Sequence, residues 1–356
     1  MPIGGFTFVG VLLFLRLESP PRKKLSILEQ LQSLDPLGLL FFAPSMVCLI
    51  LALQWGGTTS AWSSPKIIAL LTTFALLFTV FLIIETLTPE TAMAPPRIIL
   101  NRSIAGSMIF FAALSGALMA LIYYLSLYFQ ATQSLSATEA GLHMLPLLLS
   151  FVTVGIISAM AVQKSGYYVP CAFVSAVFCA LGAGLLSTLT PEARSAQWMG
   201  YQVLFGVGTG AGFQVASLVA QTVLARDDVA IGVALVFFVQ QLGGAVFLAV
   251  AQNVFAARLV RALSAIAGLD ATVVVDSGAT GIRAVVAPEQ VVGVVAAYGF
   301  ALTRVFVMAA ALSACMVFGA AALEWRSIKG KEKEGEAVAG GGGAEEEQED
   351  KSGRGE

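Results

Sequence analysis

The chain has 356 residues, of which 57% are hydrophobic and only 12% charged, with a formal net charge of −2. A soluble domain carries roughly 25% charged residues, and here the apolar residues gather into runs of about 20, the length that crosses a hydrocarbon core. These values exclude a large soluble α/β protein, whose short apolar strands would alternate with amphipathic helices. They predict an all-α, polytopic integral membrane protein in contact with a lipid bilayer, with no nucleic-acid partner.

Nine apolar segments are predicted to span, at about 3–17, 36–55, 66–84, 104–129, 141–162, 168–189, 198–224, 230–256 and 298–323. The first has no basic region before it and no small-residue cleavage site after it, so it reads as a membrane helix and not a signal peptide. Arg16, Arg22, Lys23 and Lys24 follow it and hold that end on the cytoplasmic side. Alternation from there places the N-terminus outside and the C-terminus inside, with the basic tail cytoplasmic. Residues 18–35 carry Leu25, Leu28, Leu31 and Leu34 at a spacing that predicts a cytoplasmic amphipathic linker helix on the membrane surface.

Further along, Asn101-Arg102-Ser103 matches a glycosylation sequon but falls on the cytoplasmic side, where it is expected to stay unmodified. Ser136-x-x-Glu139 is a capping box that is predicted to start the fifth span. Arg226, Asp227 and Asp228 read as a solvated cytoplasmic turn, and 257–297 as short helices on the outer face. Residues 325–356, with GGGG and AEEEQED, are of low complexity and predicted disordered. Cys48, Cys171, Cys179 and Cys315 all lie in apolar runs, so no disulfide, metal site or cofactor is expected.

Polar residues inside spans are costly unless they face partners or water. Gln214, Ser217 and Gln221 share one face of the seventh span at i, i+3 and i+7; Gln241, Gly244, Leu248 and Gln252 share a face of the eighth, with Gln240 beside it. Tyr124 and Tyr128 lie one turn apart in the fourth. Two readings stand: hydrogen bonds between helices, or an amphipathic cavity for a mainly apolar small molecule. The candidate substrate-binding residues are Tyr124, Gln214, Gln221, Gln240 and Gln241, with no catalytic residue.

GVGTGAG in the seventh span looks like a dinucleotide fingerprint, but no strand precedes it, and small residues four apart favour close helix packing. His143 is read as an interfacial polar residue or a pH sensor. Arg304, two turns into the last span, is read as snorkelling outward or pairing with a ligand or a carboxylate. No Asp or Glu sits in the middle of a predicted span, so if the chain couples to protons the group is expected elsewhere in the complete protein. One histidine cannot supply the metal cluster of a membrane enzyme, and the chain is read as a non-enzyme.

Six stretches carry a family resemblance: LQWGGTTSAWSSPKIIAL, PPRIILNRSIAG, YYLSLYFQATQSLSATEAGLHMLP, GLLSTLTPEARSAQWMGYQVLFGVGTGAGFQVASLVAQTVL, FFVQQLGGAVFLAVAQNVF and ALEWRSIK. In this order they resemble the C-terminal part of the fourteen-span drug:proton antiporters of the major facilitator superfamily, the fungal toxin and multidrug efflux pumps. The resemblance implies a remnant of the first bundle's last helix at 1–17, two inserted helices within 36–84, and a complete six-helix bundle at 104–324. It also implies proton-coupled efflux of small apolar drugs or toxins across the plasma membrane, or the vacuolar membrane. The front of such a pump has no counterpart here, so the alternative expectation is a transport-inactive remnant or paralogue.

Overall fold

Proline and small polar residues decide where the helices begin in the computed structural model. It describes residues 35–57, 59–88, 93–266 and 286–328, with isolated positions at Gly5, Gly10, Leu269 and Val274. The span expected at 3–17, the linker helix at 18–35 and most of the outer loop therefore lie outside the described residues, as does the tail beyond Ile328. Among the described residues there is no strand, and eight helices or helix pairs are long and apolar enough to cross a membrane.

Helix α1 (Pro36–Trp55) is capped by Asp35, whose side chain accepts the Gly38 N–H at 2.9 Å. Helix α2 (Pro65–Leu87) is capped by Ser64. Both place proline in the first turn, where its missing N–H costs nothing. Helix α3 (Arg102–Gln133) takes its cap from Asn101, whose side chain accepts the N–H groups of Ser103 and Ile104, so the sequon asparagine is engaged as a helix cap. The expected capping box is present, with the Ser136 N–H donating to Glu139 at 2.9 Å. It starts only a short helix, Ala137–His143, and the chain breaks at Met144 before α4 (Leu145–Ser165). Pro146 explains the break, because its ring lacks the N–H that would reach back one turn.

Helices α5 (Val169–Leu186), α6 (Ser195–Phe213), α7 (Val215–Val223), α8 (Val229–Leu263) and α9 (Val291–Ala322) follow. The seventh span is thus two helices divided at Gln214. Helices α8 and α9 overrun the expected ends at 256 and 298, and they shorten the outer loop from both sides. Arg304 accordingly lies roughly three and a half turns into its helix, with its guanidinium 4.6 Å from the Phe300 ring centre.

Helix α3 is the centre of the bundle. It packs against α7, α8 and α9; α9 also packs on α5, α5 on α6, and α6 on α4. Buried positions make up 61% of the most apolar window of α3, against 17% for α1 and 11% for α2. Helices α1 and α2 pair with each other and touch the bundle through α8. Lipid removes the hydrophobic drive between helices, so contact depends on close packing. Gly106 and Gly319 provide it where α3 crosses α9: a Cβ on Gly319 would lie 2.7 Å from the Gly106 carbonyl oxygen.

The glycines of α6 do the same on two sides. Gly206 and Gly210 face α4, and Gly208 and Gly212 face Cys179 and Ser175 of α5. A Cβ on Gly210 would lie 2.9 Å from the Gly155 nitrogen. The packing reading of GVGTGAG describes these contacts; the dinucleotide reading does not.

Two polar expectations change. Asp228 is not simply solvated: Arg97, just before α3, donates to both its carboxylate oxygens, the longer contact being 2.7 Å. This pair ties the α2–α3 connection to the turn between α7 and α8. The closing ALEWRSIK stretch is ordered through Ile328, past the expected start of disorder at 325. The Glu324 N–H donates to Ser103 Oγ at 3.1 Å, the Tyr168 hydroxyl donates to the Glu324 carbonyl at 2.8 Å, and the Ile328 N–H donates to the Gly166 carbonyl at 3.0 Å.

Candidate functional site

Helices α3 and α8 run the same way, and a cavity of about 860 Å³ lies along their C-terminal halves. Its wall includes Tyr123, Tyr124 and Leu127 from α3 and Leu248, Gln252 and Phe255 from α8. Gly57 closes it from the α1–α2 turn, and Arg261 stands toward the end of α8. The lining is mainly apolar with a few polar groups, and its volume falls within the ~300–1,000 Å³ typical of small-molecule sites.

Tyr124 is almost fully buried, 2% exposed, and its ring lies 5.3 Å from Phe255 and 5.0 Å from Tyr123. Its neighbour one turn on behaves differently. Tyr128 donates its hydroxyl to the Thr190 carbonyl at 2.5 Å, so it fastens α3 to the α5–α6 turn.

The turn after α1 meets the cavity at Gly57. Gly57 has φ 76°, and its N–H donates to the Ser60 carbonyl at 2.9 Å. Asn253 on α8 donates to the Leu53 carbonyl at 3.2 Å, which joins the end of α1 to the helix that lines the cavity. The Lys66 ammonium sits 3.8 Å above the Trp55 ring, across the same turn.

The other four sequence candidates are not gathered around Tyr124. Gln214, at the break between α6 and α7, lines a separate cavity of about 460 Å³ with Gln163, Leu218 and Ile328. That cavity is at the opposite end of the bundle, by the C-terminal ends of α4 and α9. Gln221, Gln240 and Gln241 line neither cavity; Gln240 is buried while Gln221 and Gln241 are exposed. Gln252 was left out of the candidates although it shares its helical face with Leu248, and both reach the large cavity. Its signal was the same three-four spacing that selected Gln241.

His143 lies between aromatic rings, with centres 5.2 Å from Phe129 and 4.8 Å from Trp198, and its Nδ1 is 2.9 Å from the Glu139 carbonyl oxygen. Ser136 holds the Glu139 carboxyl below the ordinary range by donating from its backbone and hydroxyl. Among the described residues, no group of three or more His, Cys, Asp or Glu side chains could hold a metal ion.

No family profile matches the chain. It is 42% identical over 343 residues to the MFS-type efflux pump MFS1 of Trichophyton rubrum, an alignment covering 95% of this chain and 63% of that protein. It is also 40% identical over 332 residues to the efflux pump aflT of Aspergillus parasiticus, covering 92% and 65%. The chain belongs to the major facilitator superfamily. A further member, the efflux pump roqT of Penicillium rubens, is 40% identical over 330 residues, covering 92% of this chain and 61% of the relative. The chain thus spans a little under two thirds of the length of these major facilitator relatives. Those relatives are efflux pumps by name, and the long apolar helices of this chain fit contact with a bilayer.

Proposed function

We propose that this chain forms part of an exporter of small, mainly apolar drugs or toxins, and that the cavity between α3 and α8 is a binding surface for them. The observation that carries this reading is the juxtaposition of Tyr124 and Phe255 with the single amide of Gln252 around about 860 Å³. Aromatic faces receive an apolar body, and the amide orients one polar group of it. The names of the efflux-pump relatives support the same activity. Proton exchange as the driving force, a plasma-membrane location and a cytoplasmic C-terminus complete the proposal; the last follows from the bias of basic residues.

The chain is further proposed to hold a second six-helix bundle, α3 through α9, with α1 and α2 as the inserted pair. In that arrangement Gln214 and Gln241, exposed on otherwise apolar helices, belong to a wall shared with the rest of a full-length transporter. Gln221 and Gln240 remain candidates for the same wall. Binding of rhodamine 6G to the purified chain in nanodiscs tests the cavity. The expected result is saturable binding that weakens in Gln252→Leu; saturable binding unchanged in that variant contradicts the assignment. A transport-inactive paralogue is the second reading. It predicts binding without dye accumulation in inverted vesicles.

A further inference from the structure

The antiparallel pairing of α1 and α2 brings Asp35, at the start of one helix, to Glu85, near the end of the other. Both are buried, at 5% and 3% exposure. One oxygen of each carboxyl is used: Asp35 Oδ1 accepts the Gly38 N–H at 2.9 Å, and Glu85 Oε2 accepts the Ala94 N–H at 3.1 Å. The remaining two, Asp35 Oδ2 and Glu85 Oε1, are buried without any donor. Asp35 lies close enough to act on Glu85. Two ionised carboxylates are acceptors only, so neither can satisfy the other. Charges of like sign at such range are not both retained.

Among the described residues, Asp35 is the only charged group that acts on Glu85, and both salt bridges lie elsewhere, at Arg97–Asp228 and Arg326–Glu324. From the described part of the connection after α2, the backbone N–H groups of Met93 and Ala94 also act on Glu85. Two carboxyls are too few for a metal site, whereas one hydrogen is all that the two bare oxygens lack.

We propose that Asp35 and Glu85 form a proton-binding site, in which one proton taken from water bridges Asp35 Oδ2 and Glu85 Oε1. The only bond made is O–H, and the product is a carboxylic acid donating to a carboxylate. This site is separate from the cavity at Tyr124. It places a proton at the open ends of the α1–α2 hairpin, where apolar-run reading ended the span at 84 and passed over both residues.

Infrared spectroscopy of the full chain in nanodiscs at neutral pH tests the site, with no ligand present. The expected result is a protonated-carboxyl C=O band that shifts in D2O and disappears in both Glu85→Gln and Asp35→Asn. Each amide supplies its own N–H to the other carboxylate and removes the need for a proton. Asp35→Asn also keeps the acceptor oxygen that caps Gly38, so it remains readable if Glu85→Gln fails to insert. Absence of the band in the wild type, or its survival in the variants, overturns the proposal.

Discussion

Gly57 and Asp228 show how single residues set the geometry at the two ends of the bundle. At φ 76°, Gly57 occupies left-handed backbone, and a Cβ there would lie 2.7 Å from Trp62 Nε1. Left-handed strain on a residue with a side chain costs about 1–3 kcal/mol, and the contact with Trp62 and Asn253 adds to it. Gly57→Ala is therefore expected to lower the melting temperature in detergent and to loosen the α1–α8 contact; an unchanged melting temperature would count against the turn geometry. At the other end, Arg97 donates to Asp228 and holds its carboxyl below the ordinary aspartate range. A depressed folded pKa means that the stabilisation is present above the unfolded value and lost as pH falls through the folded one. The stability gap between wild type and Arg97→Ala should hold at neutral pH and close in acid, below about pH 4. A gap that persists at low pH would show that Arg97 acts through packing and not charge. Neither role was visible in sequence: Asp228 was read as solvated because its partner lies 131 positions away.

Among the elements, α6 gives the sharpest contrast. Gly208 lies against the backbone of Cys179, where any side chain must displace α5, whereas nothing stands within 4 Å of a Cβ on Gly200. Overpacking of this kind typically costs about 1–3 kcal/mol, so Gly208→Leu should destabilise the fold. Gly200→Ala should be neutral or stabilising, by up to about 1 kcal/mol from helix propensity. Equal effects in thermal unfolding would refute the packing role of this stretch. That role was legible, because four-residue spacing of small side chains has one common physical use in lipid. The helix ends were less so. Pro146 announced the break at Met144 only once its missing N–H was set against the helical pattern. The break at Gln214 has no proline, and follows a run of Gly206, Gly208, Gly210 and Gly212 that weakens the preceding turns.

At the scale of the whole molecule, hydropathy made eight spans readable because lipid requires each to be both helical and apolar. Of the residues chosen from the sequence, Tyr124 is the one that lines the cavity between α3 and α8. Helical periodicity could not sort the glutamines, since a period of 3.6 says which residues share a face and not which neighbour that face meets. Gln214 and Tyr124 consequently proved to line cavities at opposite ends. The central claim is that ligand sits against Tyr124 and Gln252, and competition-free titration of the purified chain with rhodamine 6G tests it most directly. Tyr124→Ala and Gln252→Leu should each weaken binding by roughly tenfold, the loss of one good contact of about 1.4 kcal/mol, while Gln214→Leu leaves it unchanged. Saturable binding that survives the first two substitutions but is lost in Gln214→Leu would contradict the account and move the site to the other cavity.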